Sequence, residues 1–213
     1  MPKIATQQEA VLNSLRKMLS SGKLKPGQQI IQDTLATRLG VSRVPLREAL
    51  KVLQAEGRVI HEPHRGYFVA ELNITDLVEI YRLRTILETE ALQVGVPNIT
   101  KKDLDQIAKL AQDVENVSKK SDIPAIAAAN RKFHMAILKL CNQDRLMRII
   151  DNLWDFTDNY RILYLSNEKN RLKVATEHAK IISALRAKDA TKVVKLHDAH
   201  RNHAVAALRE ILT

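Results

Sequence analysis

Three histidines stand where a helical core ordinarily carries leucine. His134 shares a helical face with Ala127, Asn130, Ile137, Leu138 and Cys141. His178 lies with Val174, Ile181, Ile182 and Leu185, and His200 with Val193, Ala204, Ala207 and Ile211. Neutral imidazole is a common ligand of divalent transition metals, and three rings aimed inward from three helices can converge on one ion. Asn130 sits one helical turn before His134 and points the same way, offering a carbonyl oxygen. The other reading of each histidine is a core residue whose ring nitrogens are satisfied by its neighbours. His197 and His203 flank the face of His200 and read as surface or supporting positions.

A second pattern is suited to grasping polyanions. Arg43 and Arg47 lie one turn apart at the head of an amphipathic segment, and Lys51 continues their row. Leu46, Ala49, Leu50 and Leu53 form the opposite, apolar stripe. A guanidinium in that position can meet guanine O6 and N7 with two hydrogen bonds, or grip a phosphate. The plain alternative is a solvated helix face.

The surrounding elements are those of a winged helix-turn-helix. An amphipathic helix over 6–21 presents Ala10, Val11, Leu15, Met18 and Leu19 on one face. The turn-rich "SGKLKPGQQI" leads to a short helix over 33–39, a turn at Gly40, and a helix over 43–56 that stops at Gly57. Val41 fills the turn, Ser42 is placed to cap the second helix, and Pro45 is tolerated in its first turn. Two β-prone runs, Val59–His61 and Tyr67–Val69, then flank a Pro/Arg/Gly turn and predict a hairpin. Its tip carries His64, Arg65 and Gly66.

From Asn73 the pattern becomes helical throughout. Pro97, Pro124, Asn142, Asn167 and Asp189 punctuate about six helices, over 75–95, 100–118, 123–141, 143–165, 168–187 and 189–212. The fold class expected is mainly α, with a DNA-binding head over 1–72 and an antiparallel helical bundle over 73–213.

Bulk numbers agree. The 213 residues are 45% hydrophobic and 27% charged, enough for one or two packed cores. The net charge of +10 is uneven, with 11 Lys/Arg against 5 Asp/Glu in residues 1–70. That asymmetry puts the polyanion signal in the first third of the chain. Cys141 is the single cysteine, so neither an intrachain disulfide nor a thiolate zinc cluster can form. No apolar run approaches the roughly 18 residues of a membrane span, and the N-terminus has no signal-peptide core, so the cytoplasm is expected.

The stretch "LATRLGVSRVPLREALKVLQAEGRV" closely resembles the DNA-binding region of GntR-family bacterial transcription regulators, which run LA-x-x-LGVSR-x-P-V/L-REAL-x-x-L-x-x-EG and end in a wing. The resemblance implies Arg43 and Arg47 as principal base or phosphate readers. It places Ser42 and Val44 at the DNA surface, with Arg65 and Gly66 in the wing; Lys51, in the row of the arginines, and His64, at the hairpin tip, join them as candidate DNA contacts by position. Some members carry a further DNA-contacting arginine at the start of the first short helix, where this chain has Asp33. "ANRKFHMAILKLCNQDRL", "EHAKIISALRAKDA" and His200 resemble the FCD domain of the FadR-like branch, including its 22-residue step from His178 to His200. "YRLRTILETEAL" resembles that domain's opening segment.

This second resemblance implies a divalent ion of the Zn, Ni or Mn type held by His134, His178 and His200, with a small carboxylate or sugar acid beside it. Asn130 stands where many members have a ligating Asp. Arg84 reads either as a carboxylate clamp or as an i,i+4 partner of Glu88, and Tyr160 and Arg161 as further candidates to line the cavity. The expected protein is a homodimeric regulator on a pseudo-palindromic operator, a repressor relieved by its effector. A metal-responsive regulator, or a metal-dependent enzyme, would share the histidine cluster.

Overall fold

The computed structural model of the chain describes residues 7–212; Thr6, the first residue of the expected opening helix, lies outside them. The chain divides into two compact units between Leu72 and Asn73.

In the first unit, α1 (Gln7–Ser20) buries Val11, Leu15, Met18 and Leu19, whose spacing gives one stripe. Ala10, expected on that face, is exposed. Helix α2 (Gln32–Leu39) ends at Gly40, whose φ of 65° is the left-handed conformation that glycine adopts without strain. The Val41 and Gly40 N–H groups donate back to Ala36 and Thr37, closing the chain into α3 (Arg43–Ala55). Leu46, Ala49, Leu50 and Leu53 of α3 are fully buried against α1. Ser42 occupies the N-cap position with extended backbone, yet its side chain makes no capping hydrogen bond.

The expected hairpin is present as β2 (Val59–Glu62) and β3 (Gly66–Val69), and a third strand joins it. Strand β1 (Gln29–Ile30) pairs antiparallel with β3, Gln29 opposite Phe68, so the sheet order is β1-β3-β2. Val59, Tyr67 and Val69 face the helices and complete one apolar core.

The second unit contains seven helices among the described residues. They are α4 (Ile74–Gly95), α5 (Lys101–Ser118), α6 (Ile123–Leu138), α7 (Asp144–Phe156), α8 (Asp158–Ser166), α9 (Glu168–Arg186) and α10 (Ala190–Leu212). Asn73 caps α4 by accepting from the Thr75 N–H at 2.7 Å, and Thr100 with Asp103 forms a reciprocal capping box on α5. Helix α4 packs on α6, α7 and α10. Its last residue, Gly95, meets the turn over 139–141 so closely that a Cβ would lie 2.7 Å from the Cys141 nitrogen.

The helix expected over 143–165 is instead two helices, broken at Thr157. The buried Thr157 hydroxyl lies 3.0 Å from the Trp154 carbonyl and also accepts from the Arg84 and Arg161 guanidiniums, each at 3.1 Å. A polar junction within the core therefore ends α7 where the local sequence alone would continue it.

Candidate DNA interface and metal centre

Helix α3 turns its apolar stripe inward and leaves Ser42, Arg43, Val44, Arg47 and Lys51 exposed. Val44 is 72% exposed, an unusual setting for an aliphatic side chain. Arg43, Val44, Arg47, Lys51, Arg65 and Gly66 line one open groove together with Gln29 and Asp33. The chain reverses at the wing tip through Glu62–Arg65, with the Arg65 N–H donating to the Glu62 carbonyl and His64 at φ 63°. Ser42 and His64 are exposed nearby without lining the groove. The Gln29 side-chain amide donates to the Arg65 carbonyl at 2.7 Å, so β1 steadies the tip.

The cationic groups of this surface are mostly paired. Arg43 forms an ion pair with Asp33, Lys51 with Glu48, and Arg65 with Glu62. Arg47 has no such partner among the described residues. Three carboxylates beside four cations leave a modest local excess, one that contacts with phosphates can draw on.

In the second unit, α6, α9 and α10 bring His134, His178 and His200 together. One ring nitrogen from each lies within 4.8 Å of the others. His134 Nε2 and His178 Nε2 are 3.2 Å apart, close to the ~3.3 Å edge of a tetrahedral site with Zn–N bonds near 2.05 Å. Burial, reinforced by the neighbouring histidines, holds both imidazoles well below the usual histidine range, so neither carries a full positive charge at neutral pH. Without an ion, one of the two must donate its Nε2 proton to the other. His200 Nδ1 lies 2.7 Å from Glu177 Oε2, and in a neutral ring that donates there Nε2 is the nitrogen able to ligate. Asn130 is buried, and its Oδ1 has no hydrogen-bond partner. These donors fit a divalent ion.

Glu177, next to His178 in the chain, joins the cluster: it accepts from His200 and also from His203. Burial would raise its pKa, but those two imidazoles hold it below the usual carboxylate range. Of the two readings of His197, surface or supporting position, the surface one fails. The residue is buried, with its ring centroid 5.2 Å from that of His134 and its Nε2 unpartnered. Burial, with Arg201 adding to it, lowers its pKa to about 3.

Beside the histidines lies a charge network centred on Glu88. Its carboxylate accepts from Arg84 Nε at 2.8 Å, from Trp154 Nε1 at 2.8 Å, and from Arg201. Arg84 thus forms the i,i+4 pair, and its guanidinium also stacks over Trp154 at 4.0 Å. Arg161 covers the same indole at 4.3 Å and lines the cavity. Tyr160 is not brought there; its hydroxyl bonds to the Asn73 backbone at the start of α4. The cavity's free volume is about 30 Å³, room for an ion or one or two waters. A ligand of several heavy atoms requires lining side chains to move.

A winged helix-turn-helix whose second helix presents Arg43 and Arg47 to solvent, in one groove with Arg65 of the wing, is the head of a DNA-binding transcriptional regulator. The comparisons with known proteins agree. The bacterial regulatory proteins of the gntR family match residues 7–69, and the FCD domain matches residues 79–203. The HTH-type transcriptional regulator McbR of Escherichia coli is 34% identical over 84% of this chain and 82% of its own. The gluconate operon transcriptional repressor of Bacillus subtilis is 25% identical over 90% of this chain and 80% of its own. The solved structure of E. coli McbR/YncC superposes with a TM-score of 0.87 at 29% identity, over 99% of this chain and 100% of that one. The chain belongs to the GntR family of bacterial regulators and carries an FCD domain. Its relatives are transcription regulators, which sets aside the reading of the histidine cluster as an enzyme centre.

Proposed function

We propose that the chain binds a pseudo-palindromic operator as a homodimer in the cytoplasm, and that a small carboxylate or sugar acid bound beside a divalent ion controls that binding. In the head, Arg43, Arg47 and Lys51 of α3, with Ser42 and Val44, meet the major groove, and His64, Arg65 and Gly66 of the wing meet the adjacent backbone or groove. In the FCD domain, His134, His178 and His200, with Asn130, hold an ion of the Zn, Ni or Mn type. Bound there, the ion supplies positive charge and open coordination positions for a carboxylate. Val78, Leu83 and Ile86 lie exposed on one side of α4, an apolar face that supports association between copies.

The observation that carries this reading is the buried donor set. Three imidazoles and an unpartnered amide oxygen occupy a helical core that apolar side chains would fill at lower cost. The small cavity supports the regulatory part, because admitting an organic ligand repacks Arg84, Arg161 and their neighbours. Such a ligand binds one arrangement of the domain in preference to another, the condition for coupling to operator affinity. Repression relieved by the effector is the sign proposed.

The same 30 Å³ volume favours a second reading, in which the ion itself is the signal. Thermal-shift measurements on chelator-treated protein, with metal added back and a panel of carboxylates and sugar acids, separate the two. Stabilisation by an acid only in the presence of metal supports the first reading; stabilisation and altered DNA binding by metal alone support the second. For the head, Arg47→Ala should weaken binding to a duplex selected from a randomised pool by the wild-type protein, by ~1–3 kcal/mol. Unchanged affinity in a gel-shift titration would take Arg47 off the reading surface.

A further inference from the structure

We propose that Asp33 is a positioning residue for sequence reading: its carboxylate holds the Arg43 guanidinium through Nε, so that the two terminal nitrogens are presented together to a guanine. The inference rests on the reading of α3 as the groove-facing helix.

The pair joins two helices. Asp33 is the second residue of α2 and Arg43 the first of α3, and the contact runs from Arg43 Nε to Asp33 Oδ1. Both side chains are exposed, 73% for Arg43 and 63% for Asp33. An ion pair that exposed contributes little to stability. Nor does it add to attraction for DNA, since a carboxylate on this face repels phosphates. What the contact does accomplish is geometric. An arginine has five N–H donors in a planar fork. The carboxylate sits against Nε as an ion pair, which draws that side of the guanidinium towards α2 and leaves the Nη1/Nη2 edge available. That edge matches guanine O6 and N7, the two acceptors that only guanine places side by side in the major groove. The Lys51–Glu48 and Arg65–Glu62 pairs differ, because each lies within one turn of its own element. Arg43 also stands at a helix N-terminus, where a cation is disfavoured and a nearby carboxylate offsets the mismatch.

Two effects of opposite sign follow, and they separate this role from a general electrostatic one. Removing the carboxylate should tighten binding to arbitrary DNA while weakening discrimination at one base pair of each half-site. The test uses the full-length protein and the duplex it selects from a randomised pool. Each G·C pair of the half-site is replaced in turn by A·T, and a scrambled duplex reports non-specific binding. In the wild type, the replacement at the position read by Arg43 should cost roughly 5- to 150-fold in affinity. Arg43→Ala should abolish that penalty. Asp33→Ala should reduce it to under about threefold while tightening binding to the scrambled duplex, which also shows that the head is folded. Asp33→Asn keeps an acceptor oxygen and should recover part of the discrimination.

If Asp33→Ala raises affinity for every duplex equally and leaves the penalty intact, or changes nothing, the positioning role is refuted while the DNA-reading assignment of α3 stands. If Arg43→Ala retains full discrimination at every base pair, the assignment of Arg43 as a reader fails, and the role of Asp33 with it.

Discussion

Glu88→Gln is the substitution that most directly tests the charge network at the centre of the FCD domain. Glu88 is 1% exposed and accepts hydrogen bonds from Arg84, Arg201 and Trp154. Burial alone would raise its pKa, yet the charges of Arg84 and Arg201 reverse that and hold it at about 2, against an ordinary value of 4.5. A depression of that size corresponds to ~3 kcal/mol of stability, the low end of the range for breaking a buried ion pair. Because the folded pKa is the lower one, the contribution is complete above about pH 4.5 and is lost as the pH falls towards about 2. Glutamine keeps an acceptor but removes the charge, leaving two guanidiniums with no central anion. Trp154 is the only tryptophan and stacks against Arg84 and Arg161, so its fluorescence reports unfolding of this domain. The variant should melt roughly 10 °C below the wild type near neutral pH, and the gap should close on acidification. A difference under about 2 °C at pH 7, or one that does not depend on pH below about 4.5, would refute the assigned role of Glu88.

Asn130→Asp should move metal-free and metal-loaded stability in opposite directions. The free protein gains an uncompensated buried carboxylate and melts lower, whereas divalent-metal affinity rises on the order of tenfold or more, read by melting with chelator against melting with added metal. Gly95→Ala should destabilise the protein by ~1–3 kcal/mol in urea unfolding. The new Cβ would stand 2.7 Å from backbone atoms of Leu140 and Cys141, a collision that outweighs the ~1 kcal/mol that alanine gains in helix propensity.

Much of the fold was legible because its pattern is local. The four buried residues of α3 repeat at helical spacing, Gly40 marks a turn only glycine makes cheaply, and Asn73, a residue of capping type, marks the start of α4. The parts that escaped are decided at long range. Strand β1 is two residues long, too short to show any alternation, and it exists because β3, far along the chain, supplies its partners. The break at Thr157 falls in a run whose apolar spacing continues through it. Arg84 and Arg161 set that break by binding the Thr157 hydroxyl, and nothing near residue 157 announces Arg84.

The site divides along the same line. His134, His178 and His200 were visible because a polar ring on an apolar face has few uses. His197 was placed beside the inward face of α10, as a surface or supporting position, because that face was drawn through Ala207 and Ile211, the apolar choice. The observed stripe is Val193, His197, Arg201, Ala204 and Leu208, and Ile211 is half exposed. Two polar residues sit on that buried stripe because α4 brings Glu88 against it, and a carboxylate from elsewhere in the chain makes an arginine tolerable in the core. Hydrophobic periodicity assigns faces by transfer energy alone, so it fails where a buried charge has its partner on another helix. The failure is itself informative: the two polar residues of that stripe, His197 and Arg201, line the cavity beside the histidine cluster.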